Sequence, residues 1–234
     1  MCLNGKEKMK QKTNNNSSNS SSPPMEGLGE AIIQVENLTK QFGSFTAVKG
    51  ITFDVYKGEI FGFLGANGAG KTTAMKMLIG ISNPTSGKAN VAGLDVATQA
   101  DLVKKSIGYM SQKFSLYDDL TIKENITFFG GIYGLSRKLI KEKTQQLITK
   151  LEMQDVANNL VGSLPLGWKQ KLSFSVALLH EPKIVFLDEP TGGVDPITRR
   201  QFWEMIYTQA YQGTTIFVTT HYMDEAEYCD RVSI

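Results

Sequence analysis

The chain predicts an α/β fold, a mostly parallel sheet flanked by helices and carrying a helical insertion. Three observations lead there. Its 234 residues, 41% hydrophobic and 21% charged, are enough to bury one sizeable core. Strand-type runs alternate with helix-length segments through the second half, the pattern of parallel strands joined by helical crossovers. The stretch from about 113 to 165 has helical periodicity and no strong strand, so it is expected to project from the sheet as an insertion.

Residues 1 to about 29 combine Lys6, Lys8, Lys10 and Lys12 with an Asn/Ser tract from Asn14 to Ser22 and then Pro23-Pro24. This composition has too little apolar surface to offset chain entropy and reads as a disordered polar tail, with the folded domain spanning 30–234. From Ala31 short β-type runs follow, Ile32–Val35, Ile51–Val55 and Ile60–Leu64, separated by turn-forming Gly, Asn and Ser. Ile107–Met110, Ile184–Leu187 and Thr214–Thr219 are further strand candidates, the last two continuous enough to be buried on both faces. Helix-length segments lie at about 70–80, 121–133, 137–151, 168–180, 197–212 and 223–229. The sequence stops at Arg231-Val-Ser-Ile234, where another strand begins, which reads as a truncation. No internal repeat is found.

Charge and cysteine content narrow the function classes. Lys and Arg total 25 against 23 Asp and Glu, a formal charge of +2, which argues against nucleic acid as a partner. Cys2 and Cys229 lie at opposite ends with no motif spacing, which suits a reducing, cytosolic compartment and excludes a disulfide scaffold or a Cys-rich metal site. The longest apolar stretches, such as Ile60 to Ala66, fall far short of the roughly 20 residues that span a bilayer. No apolar segment follows the N-terminal lysines, so no secretory signal is read there.

Chemistry concentrates first in Gly65-Ala-Asn-Gly-Ala-Gly-Lys71-Thr72, which follows the strand Ile60–Leu64 and opens a helix, the context that GxxxxGK[ST] requires. The glycines let the backbone curl so that successive N–H groups point at a phosphate, and the positive end of the helix dipole adds to that field. Lys71 would place a point charge on the β- and γ-phosphates, and Thr72 a hydroxyl on Mg²⁺. The second half of the site is Ile184-Val-Phe-Leu-Asp188-Glu189, an apolar strand ending in two acids. In open α/β sheets ligands bind beyond the carboxyl ends of the strands, so these carboxylates lie beside the phosphates. Asp188 suits the magnesium shell. Glu189, pointing elsewhere by strand alternation, is the candidate to polarise the attacking water.

These motifs, together with Phe114-Ser-Leu-Tyr, Leu164-Pro-Leu-Gly-Trp-Lys-Gln170 and His221-Tyr-Met-Asp-Glu-Ala-Glu-Tyr-Cys-Asp230, resemble the nucleotide-binding subunit of ABC transporters over about Ile32 to Ile234. The likeness is greatest to the ATP-binding subunits of bacterial multidrug-type exporters that work with separate permeases. The resemblance implies a P-loop NTPase core with an antiparallel β subdomain and the helical insertion. It implies ATP and Mg²⁺ as cofactors, with Gly65, Asn67, Gly68, Ala69, Gly70, Lys71, Thr72 and Thr73 around the triphosphate. Phe42, in Lys40-Gln-Phe-Gly43, is similar to the aromatic that stacks on adenine, and Gln112 to the loop glutamine that reaches magnesium and water. His221 resembles the switch histidine that contacts the γ-phosphate, and Asp195 lies in the loop that crosses to the opposing subunit's phosphate site. Lys71, Gln112, Glu189 and His221 are thus the catalytic candidates, and Thr72, Gln112 and Asp188 the magnesium ligands.

One motif departs from the family pattern. Leu-Ser-Gly-Gly-Gln becomes Leu164-Pro165-Leu166-Gly167-Trp168, which loses the serine hydroxyl, one glycine and the glutamine. Gly167 is kept, and the segment from Trp168 to His180 still reads as a helix whose N-terminus can face a γ-phosphate across a dimer. Multidrug-type subunits carry a similar variant, so the departure reads as a subfamily trait.

The function implied is an ATPase that powers a separate membrane permease, for efflux of drugs or other small molecules. It would pair with a second copy or another ABC ATPase domain on ATP binding, at the cytoplasmic face of the inner membrane. Coupling to the permease is expected through the loop after Gln112 and through Phe114, Leu116, Tyr117, Phe128 and Phe129, although these aromatics would also serve simply to pack the insertion. The alternative is a soluble ABC ATPase not coupled to transport. Repair-type members carry a long coiled coil between the two phosphate-site motifs, where this chain has only about 115 residues, and translation-type members hold two cores in one chain. A catalytically dead scaffold is disfavoured by the intact Lys71, Asp188, Glu189 and His221.

Overall fold

The structure is a computed structural model that describes residues 29–112 and 116–233. The expected polar tail, apart from Gly29, lies outside the described residues, as do Phe114 and Ile234. Two sheets form. β1 (Ala31–Phe42), β2 (Phe45–Tyr56), β4 (Ser86–Val91) and β5 (Leu94–Asp95) make an antiparallel sheet in the order β2-β1-β4-β5. β3 (Ile60–Leu64), β6 (Ile107–Met110), β7 (Ile184–Asp188), β8 (Thr215–Thr220) and β9 (Arg231–Ser233) make a parallel sheet in the order β6-β7-β8-β3-β9.

Alternation along the buried strands divides the core in two. Ile184 and Phe186 of β7, with Phe61, Phe63 and Phe217, face the antiparallel sheet and the helices α1 (Lys71–Leu78) and α2 (Ala100–Ser106). Phe53 of β2 stacks on Phe61 with ring centres 5.3 Å apart, which fastens one sheet to the other. Val185 and Leu187, with Ile216 and Val218, face the opposite way, against α5 (Leu166–Ala177) and α6 (Pro196–Tyr211). The fold class therefore matches the sequence expectation.

The segment expected as an insertion forms α3 (Ile122–Ile132) and α4 (Arg137–Lys150). Thr121 starts α3 with a capping box, its hydroxyl accepting from Glu124 N while Glu124 reaches back to Thr121 N. These helices pack with Leu172, Val176 and Leu179 in a third apolar cluster. Leu116 is buried there, whereas Tyr117 and Phe128 stay exposed and meet edge to face at 4.9 Å.

Several elements differ from the sequence reading. β1 and β2 are each 12 residues long, because their outer halves pair mostly through exposed side chains that carry no apolar alternation. β4, β5 and α2 were not anticipated. β4 buries only Ala89 and Val91, and α2 only Val103, too few positions to show a period. The segment near 223–229 is a 3₁₀ turn over Met223–Tyr228 instead of an α-helix. Side-chain bonds at its two ends hold it short: Glu225 is tied to Thr220, and Asp230 accepts from Ile60 N.

His180 joins the insertion to the sheet. Its ring stacks on Tyr133 at 3.8 Å, and Nε2 donates to the Ile107 carbonyl at 3.1 Å. Burial depresses its pKa below the ordinary 6.5. The unfolded chain therefore takes up this proton at a higher pH than the folded one. Stability is fully present above about 6.5 and declines as pH falls through the depressed folded value. Melting temperature should drop between pH 7 and pH 5 more steeply in the native chain than in His180→Gln, a comparison that scanning calorimetry makes directly. Equal slopes would remove His180 from the account.

Candidate nucleotide site

The fully buried β3 delivers the chain to the Gly65–Gly70 loop, which Gly65 N anchors to the Thr220 carbonyl at 3.3 Å. Gly70 requires the absence of a side chain on two grounds: its φ is 91°, and a Cβ would lie 2.3 Å from the Ala47 carbonyl oxygen of β2. It serves as the N-cap of α1, where no side chain accepts from the helix and no acid stands in the first turn. The free N–H groups and the positive helix end are thus left to an anionic ligand. They open on a cavity of about 340 Å³ bounded by the loop, Thr72, Thr73, Phe45, Gln112 and Glu189.

Lys71 lies folded into this cavity, 5% exposed, with Nζ donating to the carbonyls of Gly65 at 2.7 Å and Ala66 at 3.1 Å. Its ammonium is 3.4 Å from Oε1 of Glu189. Oε2 of that carboxylate accepts from Gln112 Nε2 at 2.9 Å and is 3.1 Å from His221 Nδ1, at ion-pair distance but outside hydrogen-bond geometry. The structure therefore brings the other three catalytic candidates around the Glu189 carboxylate. Glu189 holds a left-handed backbone, φ 47°, unusual for a residue with a side chain and characteristic of strained functional positions.

Beneath it, Asp188 is 1% exposed and accepts from Thr219 Oγ1 at 2.6 Å and from Thr72 Oγ1 at 3.3 Å. Thr219 escaped the sequence reading. Its hydroxyl also accepts from Glu189 N at 3.1 Å, so one β8 side chain sets the height of both acids. Threonines inside a fully buried strand were its only signal.

His221 lines an adjoining cavity of about 320 Å³ with Gln112 and Glu189, whereas Phe42, Gly167 and Asp195 stand apart from the cradle. Phe42 pairs across the β1–β2 turn with Phe45 and is 55% exposed under the Lys40 ammonium, whereas Phe45 lines the cavity. Gly167 and Asp195 line a separate cavity of about 310 Å³ with Pro165 and Trp168. Here Gly167 is needed because a Cβ would meet Thr198 Cγ2 at 2.4 Å. Thr198 in turn donates to Asp195 Oδ2 at 2.6 Å, the chief reason the Asp195 carboxyl titrates below its usual range. Asp195 is the N-cap of α6, so the two form one surface unit in which the starts of α5 and α6 touch. α5 begins at Pro165 with no capping side chain.

Comparison with known proteins agrees with this geometry. Residues 48–192 match the family model described as ABC transporter. The chain is 48% identical over 206 residues to the "Probable multidrug ABC transporter ATP-binding protein YbhF" of Escherichia coli (strain K12), an alignment covering 88% of this chain and 36% of that protein. It thus spans about a third of that relative's length. It is 38% identical over 208 residues to the "Nod factor export ATP-binding protein I" of Rhizobium sp. (strain N33), covering 88% and 68%. A solved structure titled "Structure of ATP binding subunit of ABC transporter" superposes with a TM-score of 0.75 at 28% identity, over 85% of this chain and 83% of that one. With the phosphate cradle, the paired acids and the match over more than half its length in agreement, the chain belongs to the ABC transporter family and carries its ATP-binding ATPase domain.

Proposed function

We propose that the chain hydrolyses ATP to drive a membrane permease that exports drugs or other small molecules. The observation that carries it is the Glu189 carboxylate at the cavity wall, met by Lys71, Gln112 and His221. With a triphosphate in the cradle, Lys71 turns from Glu189 to the β- and γ-phosphates. Glu189, freed of that charge, accepts a proton from the attacking water, and His221 and Gln112 hold the water and the γ-phosphate in line. The reaction needs positioning and charge neutralisation more than covalent chemistry.

Magnesium fits the donor set. Thr72 and Asp188 place a hydroxyl and a carboxylate 3.3 Å apart below the cradle, with Gln112 across the cavity, all hard oxygen donors. When bound, the ion neutralises charge on the phosphates. Magnesium takes one or two protein carboxylates and completes its shell with phosphate and water.

The adenine platform is the Phe42–Phe45 pair at the hairpin turn. Phe42→Ala and Phe45→Ala are each expected to weaken ATP and GTP binding alike, by about 1–3 kcal/mol, since stacking is tolerant of base identity. Titration with both nucleotides checks this; a loss confined to ATP would mean that the base edge is read.

Closure on ATP pairs the cradle of one ATPase domain with the Gly167 helix start and Asp195 of a second. The exposed Tyr117 and Phe128 give the insertion an apolar face for the permease. Among the described residues no helix is long and apolar enough to cross a membrane; the proposal places the chain at the cytoplasmic face of the inner membrane, held there by its permease, with no nucleic acid as partner. The relatives named for multidrug transport and Nod factor export support the export reading. The test is phosphate release with Mg²⁺ and with EDTA, together with co-purification from detergent extracts of a polytopic protein encoded beside this gene. Magnesium-dependent hydrolysis with no such partner would favour a soluble ATPase.

A further inference from the structure

Glu225 is a carboxylate with no exposed surface, and nothing in the phosphate chemistry calls for it. Its Oε1 accepts from the Thr191 hydroxyl, and its Oε2 accepts from Thr220 Oγ1 at 2.6 Å. Thr191 lies two residues beyond Glu189, and Thr220 immediately before His221. One buried acid therefore ties together the backbone segments that present the two groups expected at the γ-phosphate.

The counter-charge comes from α6. Arg199 Nε lies 3.8 Å from Glu225 Oε1, a coulombic contact beyond hydrogen-bond range. The Arg199 guanidinium covers the Tyr222 ring at 4.4 Å, and the Tyr222 ring lies 4.1 Å from that of His221. Tyr222 N also donates to Thr220 Oγ1 at 3.0 Å. His221 is thus held from two sides: through its preceding residue by Glu225, and through its ring by Tyr222 under Arg199. Replacing Glu225 and Arg199 together by well-packed apolar side chains would often cost little stability, whereas removing either one leaves the other's charge uncompensated. Packing alone therefore does not account for an acid here.

We infer that Glu225, with Arg199 as its counter-charge and Tyr222 as the link, is a positioning residue that sets the His221 ring against Glu189. Since Arg199 stands one turn into the helix that Asp195 caps, contact with a second domain at Asp195 also bears on His221 through this chain of groups. The inference rests on His221 acting at the γ-phosphate, as proposed above, but the placement of the ring is open to measurement without turnover.

The chain has two histidines, so their ring-proton resonances are easily separated, with His180→Gln giving the assignment. In Glu225→Gln, which keeps the side chain's shape and one hydroxyl contact, the His221 resonances should move as the Tyr222 ring shifts, while those of His180, stacked on Tyr133, stay in place. Turnover of Glu225→Gln should fall about tenfold with KM for ATP held within about twofold, the split expected when a group acts only in the transition state. In a His221→Ala background the same substitution should cost nothing further, because its effect runs through the absent ring. Arg199→Met is the second variant, with the same expected pattern, should Glu225→Gln melt too low to assay. Unmoved His221 resonances overturn the inference whatever the turnover, and so does an equal fall in both backgrounds. If the native chain and His221→Ala hydrolyse at the same rate while the resonances move as expected, the role of His221 fails and its positioning by Glu225 stands.

Discussion

Lys71→Ala is expected to reduce ATP hydrolysis to background and to weaken nucleotide binding. The ammonium is the one cation inside the cavity among the described residues, and it sits on the carbonyls of Gly65 and Ala66 within reach of the loop's curled backbone. Removing a preorganised charge at a site of developing negative charge costs about 10²–10³ in rate. The geometry adds a second penalty. Lys71 and Glu189 are both nearly buried and 3.4 Å apart, so the alanine leaves a carboxylate that has lost its main counter-charge, and breaking such a pair is destabilising. ATP binding by fluorescent-nucleotide titration, phosphate release and melting temperature separate the effects: hydrolysis lost with binding reduced about 10- to 100-fold fits a charge-assisted phosphate contact, and unchanged turnover sinks the assignment of the cradle.

The sequence made the cradle legible because its physics is local. A buried strand, a glycine turn and a helix start follow one another in eight or ten residues, and each demands its own residue types. Asp188 and Glu189 were legible for the same reason, as the polar end of an apolar run. What brings them together is not local: Thr219, nearly 150 residues from Thr72, bonds to the same Asp188 oxygen, and a threonine in a β-branched strand announces nothing. Phe45 was passed over because one phenylalanine beside a turn looks like another until the hairpin's twist shows which lines the cavity. β4 and α2 were missed because they bury two residues and one. Conversely, the helix expected near 223–229 gave way to a 3₁₀ turn, local helical preference yielding to the Glu225 and Asp230 tethers.

Asp195 and Gly167 show the limit of a single chain. Read alone, the structure explains both: Asp195 caps α6 and Gly167 admits Thr198. What stays unspent is the start of α5. Pro165 brings neither a capping side chain nor an N–H of its own, so the donors of the next residues remain available to an acceptor from outside, which in the closed pair proposed above would be a phosphate held in another cradle. On that proposal the missing serine hydroxyl is a lost contact of about 1–3 kcal/mol at most, not a lost site.

That second site is where Glu189→Gln has its effect. The amide keeps the side chain's size and its place at the end of β7, and leaves Thr72 and Asp188 untouched. It removes the charge that now competes for Lys71 at 3.4 Å, so the ammonium is free for the γ-phosphate and ATP binding should be kept or tightened. It also removes the group proposed above as the base. Gln112 Nε2 and His221 Nδ1 then face an amide in place of the oxygen they now approach at 2.9 and 3.1 Å, and nothing remains to take a proton from water. Positioned bases contribute about 10²–10⁴ in rate, and hydrolysis should fall by that order. With ATP bound and not consumed, two cradles stay closed against two Gly167 helix starts, and the chain should pass from monomer to a long-lived dimer. Size-exclusion chromatography with light scattering, with and without ATP and Mg²⁺, shows this directly. Hydrolysis at the native rate would strip Glu189 of its role. An inactive variant that remains monomeric at saturating ATP would mean that Leu164-Pro-Leu-Gly-Trp168 does not complete the second site, and that closure depends on the permease to bring the two domains together.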